Sequence, residues 1–127
     1  QLTGVLQRIR NTPFDFTKPR EIGERIRRTN NGYDNAYQLR HPDNMQKPAA
    51  ILFDAQSGRA MTVYSSEPTL CINTYGKASS SISLQPLHSG YNSGMEKISQ
   101  GLEPGQVFHG ATVFFFTTDP PLLMRTK

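Results

Sequence analysis

Cysteine is almost missing from this chain. Cys71 is the single one, which excludes an internal disulfide framework, and its place between apolar residues in TLCIN predicts a buried, inert thiol. Long apolar runs are missing too. The longest, ATVFFF at 111–116, falls far short of the ~18 residues a membrane span needs, so no membrane partner is expected. No charged-then-apolar leader follows Gln1, and no Asn-x-Ser/Thr acceptor is present. Secretion is therefore neither indicated nor excluded, and the cytoplasm is the default expectation.

What is abundant is turn chemistry. The chain has 10 Gly and 9 Pro among 127 residues, with 35% hydrophobic and 19% charged, a balance that favours β structure. That length suits one domain, residues 1–127. The formal charge of +4 raises the question of nucleic acid, since clustered Lys and Arg release counterions on meeting phosphates. Clustering is weak, however. Only Arg20, Arg25, Arg27 and Arg28 lie close together, and Glu21 and Glu24 stand four residues before Arg25 and Arg28. A solvated helix face is expected, with no nucleic-acid partner.

Read along the chain, GVLQRI (4–9) alternates as a short strand that Asn11-Thr12-Pro13 stops. Pro19 suits the first turn of a helix with Ile22 and Ile26 on one face, and Asn30-Asn31-Gly32 ends it. Gly23 in its interior costs roughly 1 kcal/mol against Ala, so the segment depends on packing. YDNAYQLR then alternates as a strand and HPDNMQKP reads as a loop. AAILFD and AMTVYSS form an antiparallel hairpin about Asp54–Gly58, followed by TLCIN. The Ser-rich stretch 77–83 looks like an exposed excursion. Glu103-Pro104-Gly105 introduces the longest strand candidate, 106–118. Five or six strands, one minor helix and no βαβ alternation predict an all-β antiparallel sandwich.

Sites are sparse. His41, His88 and His109 are far apart without metal-ligand spacing, so no metal is expected. Ser89 follows His88 directly, and neighbours on a strand face opposite ways, which excludes a nucleophile and base sharing a proton. The carboxylates of interest are Asp15, Asp34, Glu67 and Glu96. Asp34 interrupts an aromatic strand between Tyr33 and Tyr37. An acceptor-only carboxylate beside aromatic faces suits a sugar, and a turn-capping Asp after Asn-Gly is the plainer reading.

Taken in order, TGVLQRIRNTPFDFTKPREIGERI, NGYDNAYQL, the hairpin FDAQSGRAMTVYSSEP, HSGY and LEPGQVF resemble the C-terminal part of the aldose 1-epimerases, the galactose mutarotase family. The resemblance runs from Thr3 to about Phe116. It implies a large antiparallel β-sandwich of which these residues form the last third or so, with one short helix. Asp34 matches the family aspartate that meets sugar hydroxyls.

The chemistry so implied is interconversion of the α and β anomers of a hexose such as galactose or glucose. A carboxylate base takes the anomeric proton while a histidine acid protonates the ring oxygen, with no cofactor. The family's acid histidine, a second histidine and an arginine lie upstream of anything here, and none of this chain's histidines matches them. The family base falls on Gly94 without a gap, or on Glu96 with a two-residue insertion. On a strand that slip is some 6 to 7 Å against a hydrogen-bond reach of about 3 Å. Glu96 is the candidate base.

Two departures weigh against activity: Cys71 stands where the family has a substrate-contacting glutamine, and the loop after the base is shortened to KISQGLEP. The alternatives to an epimerase are a catalytically inactive sugar-binding relic of the fold and a structural or interaction protein. The expected partners are a small sugar and, because a cut sandwich bares strand edges and apolar faces, the missing N-terminal portion or a second copy.

Overall fold

A computed structural model describes residues 5–42, 44–78, 80–88 and 101–119. Glu96 and Gly94, the two positions considered for the base, lie outside the described residues, as does the SGY of HSGY. The chain divides into two compact units, residues 1–37 with 71–85 and residues 38–70 with 86–127.

Six strands and one short helix are present among the described residues, in agreement with the all-β, mutarotase-type fold. The strands are β1 (Asp34–Gln38), β2 (Ala50–Asp54), β3 (Arg59–Ser65), β4 (Thr69–Asn73), β5 (Ser83–Leu87) and β6 (Thr112–Thr117). They form two three-stranded sheets, ordered β1-β4-β5 and β2-β3-β6.

The β2–β3 hairpin follows the sequence reading closely. Asp54 pairs with Arg59 and Ala50 with Val63. Gly58 takes φ 74° and donates its N–H to the Asp54 carbonyl at 2.8 Å. The Asp54 carboxylate accepts from Gln56 N and Ser57 N at 3.3 and 3.1 Å, which holds the turn closed; the Ser57 side chain first, then the Ser57 and Gln56 amides, lower the carboxyl. β6 pairs antiparallel with β3, Ala60 opposite Thr117 and Ser65 opposite Thr112. Val63 is fully buried, and Ala60, Leu70, Thr62 and Ser65 join it in the core of this unit. Val113, Phe114, Phe115 and Phe116 on β6 are exposed, so neither face of that strand is covered among the described residues.

Five expectations need correction. Residues 106–111 are not strand: β6 begins at Thr112, and β3, with seven residues, is the longest strand. The ladder runs one bond further, Ser66 N–H to Ala111 C=O at 2.9 Å, and then ends at Gly110. A Cβ there would collide with the Glu67 carboxylate and the Phe108 ring, so this position takes glycine. The pattern in residues 5–9 builds no strand either, because alternation supplies a face but not a partner.

The helix does not start at Pro19. Glu21 is extended at ψ 135°, the α-helix α1 covers only Ile22–Arg25, and a 3-10 turn follows over Ile26–Arg28. Nor do its charges pair as their spacing suggested. Arg20 takes Glu24 at 3.0 Å, and Arg25 turns away to the backbone of residues 12–15. Finally, the stretch read as an excursion ends in β5. Pro86 inside it is tolerated because β5 lies at the sheet edge among the described residues, where a missing donor costs little.

Candidate functional site

The segment TPFDF is the floor on which β1 rests. Phe14 and Phe16 meet the Tyr33 ring edge-on, with centroids 5.8 and 5.1 Å away. Tyr33 is 1% exposed and donates its hydroxyl to the Pro13 carbonyl at 2.9 Å. Tyr37, four residues on and on the same face, donates to the Phe14 carbonyl at 3.0 Å, and burial drives its phenol well above the ordinary range. Arg25 reaches in from α1 and donates to the Thr12 and Asp15 carbonyls, both at 2.8 Å. Asp15 itself accepts from the Thr17 hydroxyl and amide at 2.6 and 3.1 Å, and these bonds lower its carboxyl. Asp15 is therefore a turn cap.

The Asn-Gly before Tyr33 answers to a close approach. Gly32 has φ +81°, and a Cβ on it would run into the Gly76 carbonyl and the Thr74 hydroxyl. That hydroxyl is the node of the turn. It accepts from Tyr33 N at 2.9 Å and donates to the Gly76 carbonyl at 2.8 Å. On the other side, the Thr29 hydroxyl accepts from Gly32 N at 2.9 Å and donates to the Ile26 carbonyl at 2.6 Å. Thr29 and Thr74 are both buried, which fits hydroxyls whose bonding is complete.

Two bonds fix the register of β1 against β4. Thr74 N donates to Tyr33 O and Leu39 N donates to Pro68 O, both at 2.9 Å. Sequence rises on one strand by six as it falls on the other by six, which makes the pair antiparallel with Asp34 opposite Asn73 and Ala36 opposite Cys71. Residues 34 and 36 share a face. Asp34 and Cys71 thus stand on one face, and Tyr33 and Tyr37 on the other. The aromatic pair flanking Asp34 in sequence is spent on the floor beneath.

A surface depression of about 480 Å³ opens at this end of the sheet. Asp34, Asn35, Asn73, Asn30 and Asn31 bring polar groups to it, and Phe14 and Tyr75 bring rings. Asn35 Oδ1 accepts from Asp34 N at 3.2 Å, and Asn73 Oδ1 accepts from Tyr75 N at 2.7 Å. Both amides accept through oxygen, which leaves the NH2 of each as a donor. The Asp34 carboxylate is exposed, and among the described residues no hydrogen bond or ion pair engages it. It caps nothing. Tyr75 is 62% exposed and holds φ 55°, a conformation a bulky side chain seldom adopts.

Cys71 is half-buried rather than buried. Burial first, and the Asp34 charge second, push its thiol up, so it stays protonated and offers no amide-like donor and acceptor pair.

The remaining histidines part company. His41 and His109 are exposed. His88, at the end of β5, places Nδ1 3.2 Å from Glu67 Oε2, a meeting of residues 21 apart that spacing could not reveal. No group of three or more His, Cys, Asp or Glu residues able to hold a metal occurs among the described residues.

The aldose 1-epimerase family model matches residues 1–114. Galactose mutarotase of Sus scrofa is 26% identical over 131 aligned residues, which cover 91% of this chain and 38% of that protein. The chain thus spans well under half the length of this curated relative. No solved structure matches it. With the family matched over most of its length, on an all-β frame whose NGYD turn brings a carboxylate to an amide-lined depression, the chain belongs to the aldose 1-epimerase family.

Proposed function

We propose that this chain supplies the sugar-hydroxyl-binding part of an aldose 1-epimerase acting on a hexose such as galactose or glucose. One observation supports the reading most. The Asp34 carboxylate, unengaged among the described residues, lines one depression with Asn35 and Asn73, whose amide oxygens are already bonded. A carboxylate accepts and an amide NH2 donates, so adjacent hydroxyls of a pyranose, each both donor and acceptor, are met on both counts. Phe14 and Tyr75 offer apolar surface to the C–H face of the ring. The matched family adds the substrate class and the reaction.

In this reading Asp34 positions the sugar, and a separate carboxylate takes the anomeric proton. Glu96 is the candidate for that base. The acid that protonates the ring oxygen belongs to polypeptide outside these residues, so turnover is assigned to a longer parent and not to the isolated chain. No cofactor enters.

The test is a titration of the 127-residue chain with a methyl galactoside, whose anomer is locked, followed by amide NMR. Resonances of residues 30–35 and 73–76 should shift saturably, and Asp34→Asn should weaken binding about tenfold or more, the loss of a charged hydrogen bond. Anomer-resolved NMR of fresh α-galactose with the parent protein then separates an enzyme from a relic that binds without turnover. Unshifted resonances at high glycoside, or an undiminished affinity in Asp34→Asn, would end the assignment of Asp34.

A further inference from the structure

Glu67 and His88 form a polar pair that the Asp34 reading leaves unused, in the other unit of the chain. Glu67 follows β3 and is anchored by its amide, which donates to Ser65 Oγ at 3.1 Å. Its side chain is only 12% exposed, against 46% for His88. The carboxylate can only accept, so the imidazole must donate through Nδ1. In the neutral ring that leaves the lone pair on Nε2. Among the described residues nothing bonds Nε2.

The surroundings are shaped as well as polar. His88 meets the Phe108 ring edge-on at 4.7 Å, which fixes the imidazole plane from a second side. Gly110 makes the arrangement possible, because a Cβ there would lie 2.5 Å from Glu67 Oε1 and 2.9 Å from the Phe108 ring. The pair opens into a depression of about 400 Å³ walled by Pro86, Phe108 and Thr112. A half-buried carboxylate behind an imidazole, with the outer nitrogen unbonded among the described residues and an aromatic wall beside it, is a preorganised acceptor.

The chemistry of that acceptor narrows its ligand. The Glu67 charge disfavours anions, and an imidazole with one carboxylate and no third ligating side chain among the described residues does not make a cation site. A neutral donor with an apolar face fits both the lone pair and the Phe108 wall, and a pyranose hydroxyl on a ring with a C–H face is such a donor. We propose that His88, oriented by Glu67, forms a second sugar-binding site on this chain, with Nε2 accepting from a ring hydroxyl and Phe108 packing against the ring. Glu67 is the positioning residue and does not touch the sugar. The site stands or falls independently of Asp34.

Histidine-labelled 127-residue chain at pH 8, above the ordinary imidazole range, tests this through two-bond 1H–15N correlations. His88 should show a protonated Nδ1 and a bare Nε2, and methyl β-galactoside should move the Nε2 resonance saturably. Glu67→Gln should weaken that response about three- to tenfold, the worth of one hydrogen bond, and Phe108→Leu should weaken it as well. Asp34→Asn should leave it unchanged, so loss of either site is seen separately. A proton on Nε2 in the unmodified chain overturns the proposal without any variant. So does an Nε2 resonance that ignores the glycoside, or one that responds equally in Glu67→Gln or Phe108→Leu.

Discussion

Gly32→Ala tests the frame on which the Asp34 depression is built. The new Cβ meets two obstacles at once. At φ +81° an L side chain costs roughly 1–2 kcal/mol on backbone grounds alone. The Cβ also occupies the space of the Gly76 carbonyl, which is backbone and cannot swing aside as a side chain would. Relief requires the 74–76 turn to move, and that turn is tied through one hydroxyl. Displacing Thr74 Oγ1 strains its bonds to Tyr33 N and the Gly76 carbonyl, each worth about 1 kcal/mol net. With both bonds lost, the sum is about 3–4 kcal/mol. Gly23→Ala is the internal control. Nothing lies within 4 Å of its would-be Cβ, and in α1 the exchange should be neutral or stabilise by up to about 1 kcal/mol. Urea unfolding followed by tyrosine fluorescence reads both, Tyr33 being buried in the affected unit. Gly32→Ala should also blunt the glycoside response of residues 30–35. If it costs less than about 0.5 kcal/mol, or no more than Gly23→Ala, the close approach is not what selects glycine at this turn.

Arg25→Ala should cost about 2 kcal/mol or more in the same unfolding assay, since it removes two charged bonds to the Thr12 and Asp15 carbonyls; Arg25→Lys, a single point donor, should recover less than half, and full recovery would refute the two-carbonyl role. Asp34→Asn should speed alkylation of Cys71 at pH 8, because the Asp34 charge is the second cause, after burial, of the raised thiol. Removing it lowers the thiol toward its ordinary value and increases the thiolate fraction; an unchanged or slower rate would separate the two residues that the register places on one face. Phe116→Glu, at a side chain 71% exposed on the edge strand β6, should leave unfolding free energy within about 0.5 kcal/mol. It should also reduce concentration-dependent association in sedimentation velocity; association unchanged by that charge would clear β6 as the sticky edge.

Much of this fold was legible because its signals are local. The β2–β3 hairpin needed only two apolar runs and a glycine at the left-handed position, and its bonds all lie within a few residues. The Glu103–Gly105 turn was equally local, with Gly105 at φ 87° and Gln106 N bonded to Glu103 O. What failed depended on partners distant in sequence. The helix was read from Pro19 and its i,i+4 charges, yet Arg25 found carbonyls 10 and 13 residues away that bind it better than a solvated Glu does. Likewise the alternation in residues 106–111 could not disclose that Glu67 would need the space at Gly110. The Glu67–His88 pair was invisible for the same reason.

The three aspartates show where local reasoning ends for the site itself. Asp15, Asp34 and Asp54 all sit beside turn residues, and a capping role suited each. A cap requires donors two and three residues on, presented by a chain that folds back. Asp15 has the Thr17 hydroxyl and amide, and Asp54 has the Gln56 and Ser57 amides. Asp34 begins a strand instead, so the residues after it run away from its carboxylate, and the neighbouring Asn35 amide takes the one local backbone donor, Asp34 N. The turn that makes this possible lies before it, closed by Thr29 and by a Thr74 hydroxyl 40 residues later. Gly32 and Thr74 thus leave Asp34 with nothing to cap among the described residues, and a carboxylate so placed on the lining of a depression is the one among the three available to a ligand.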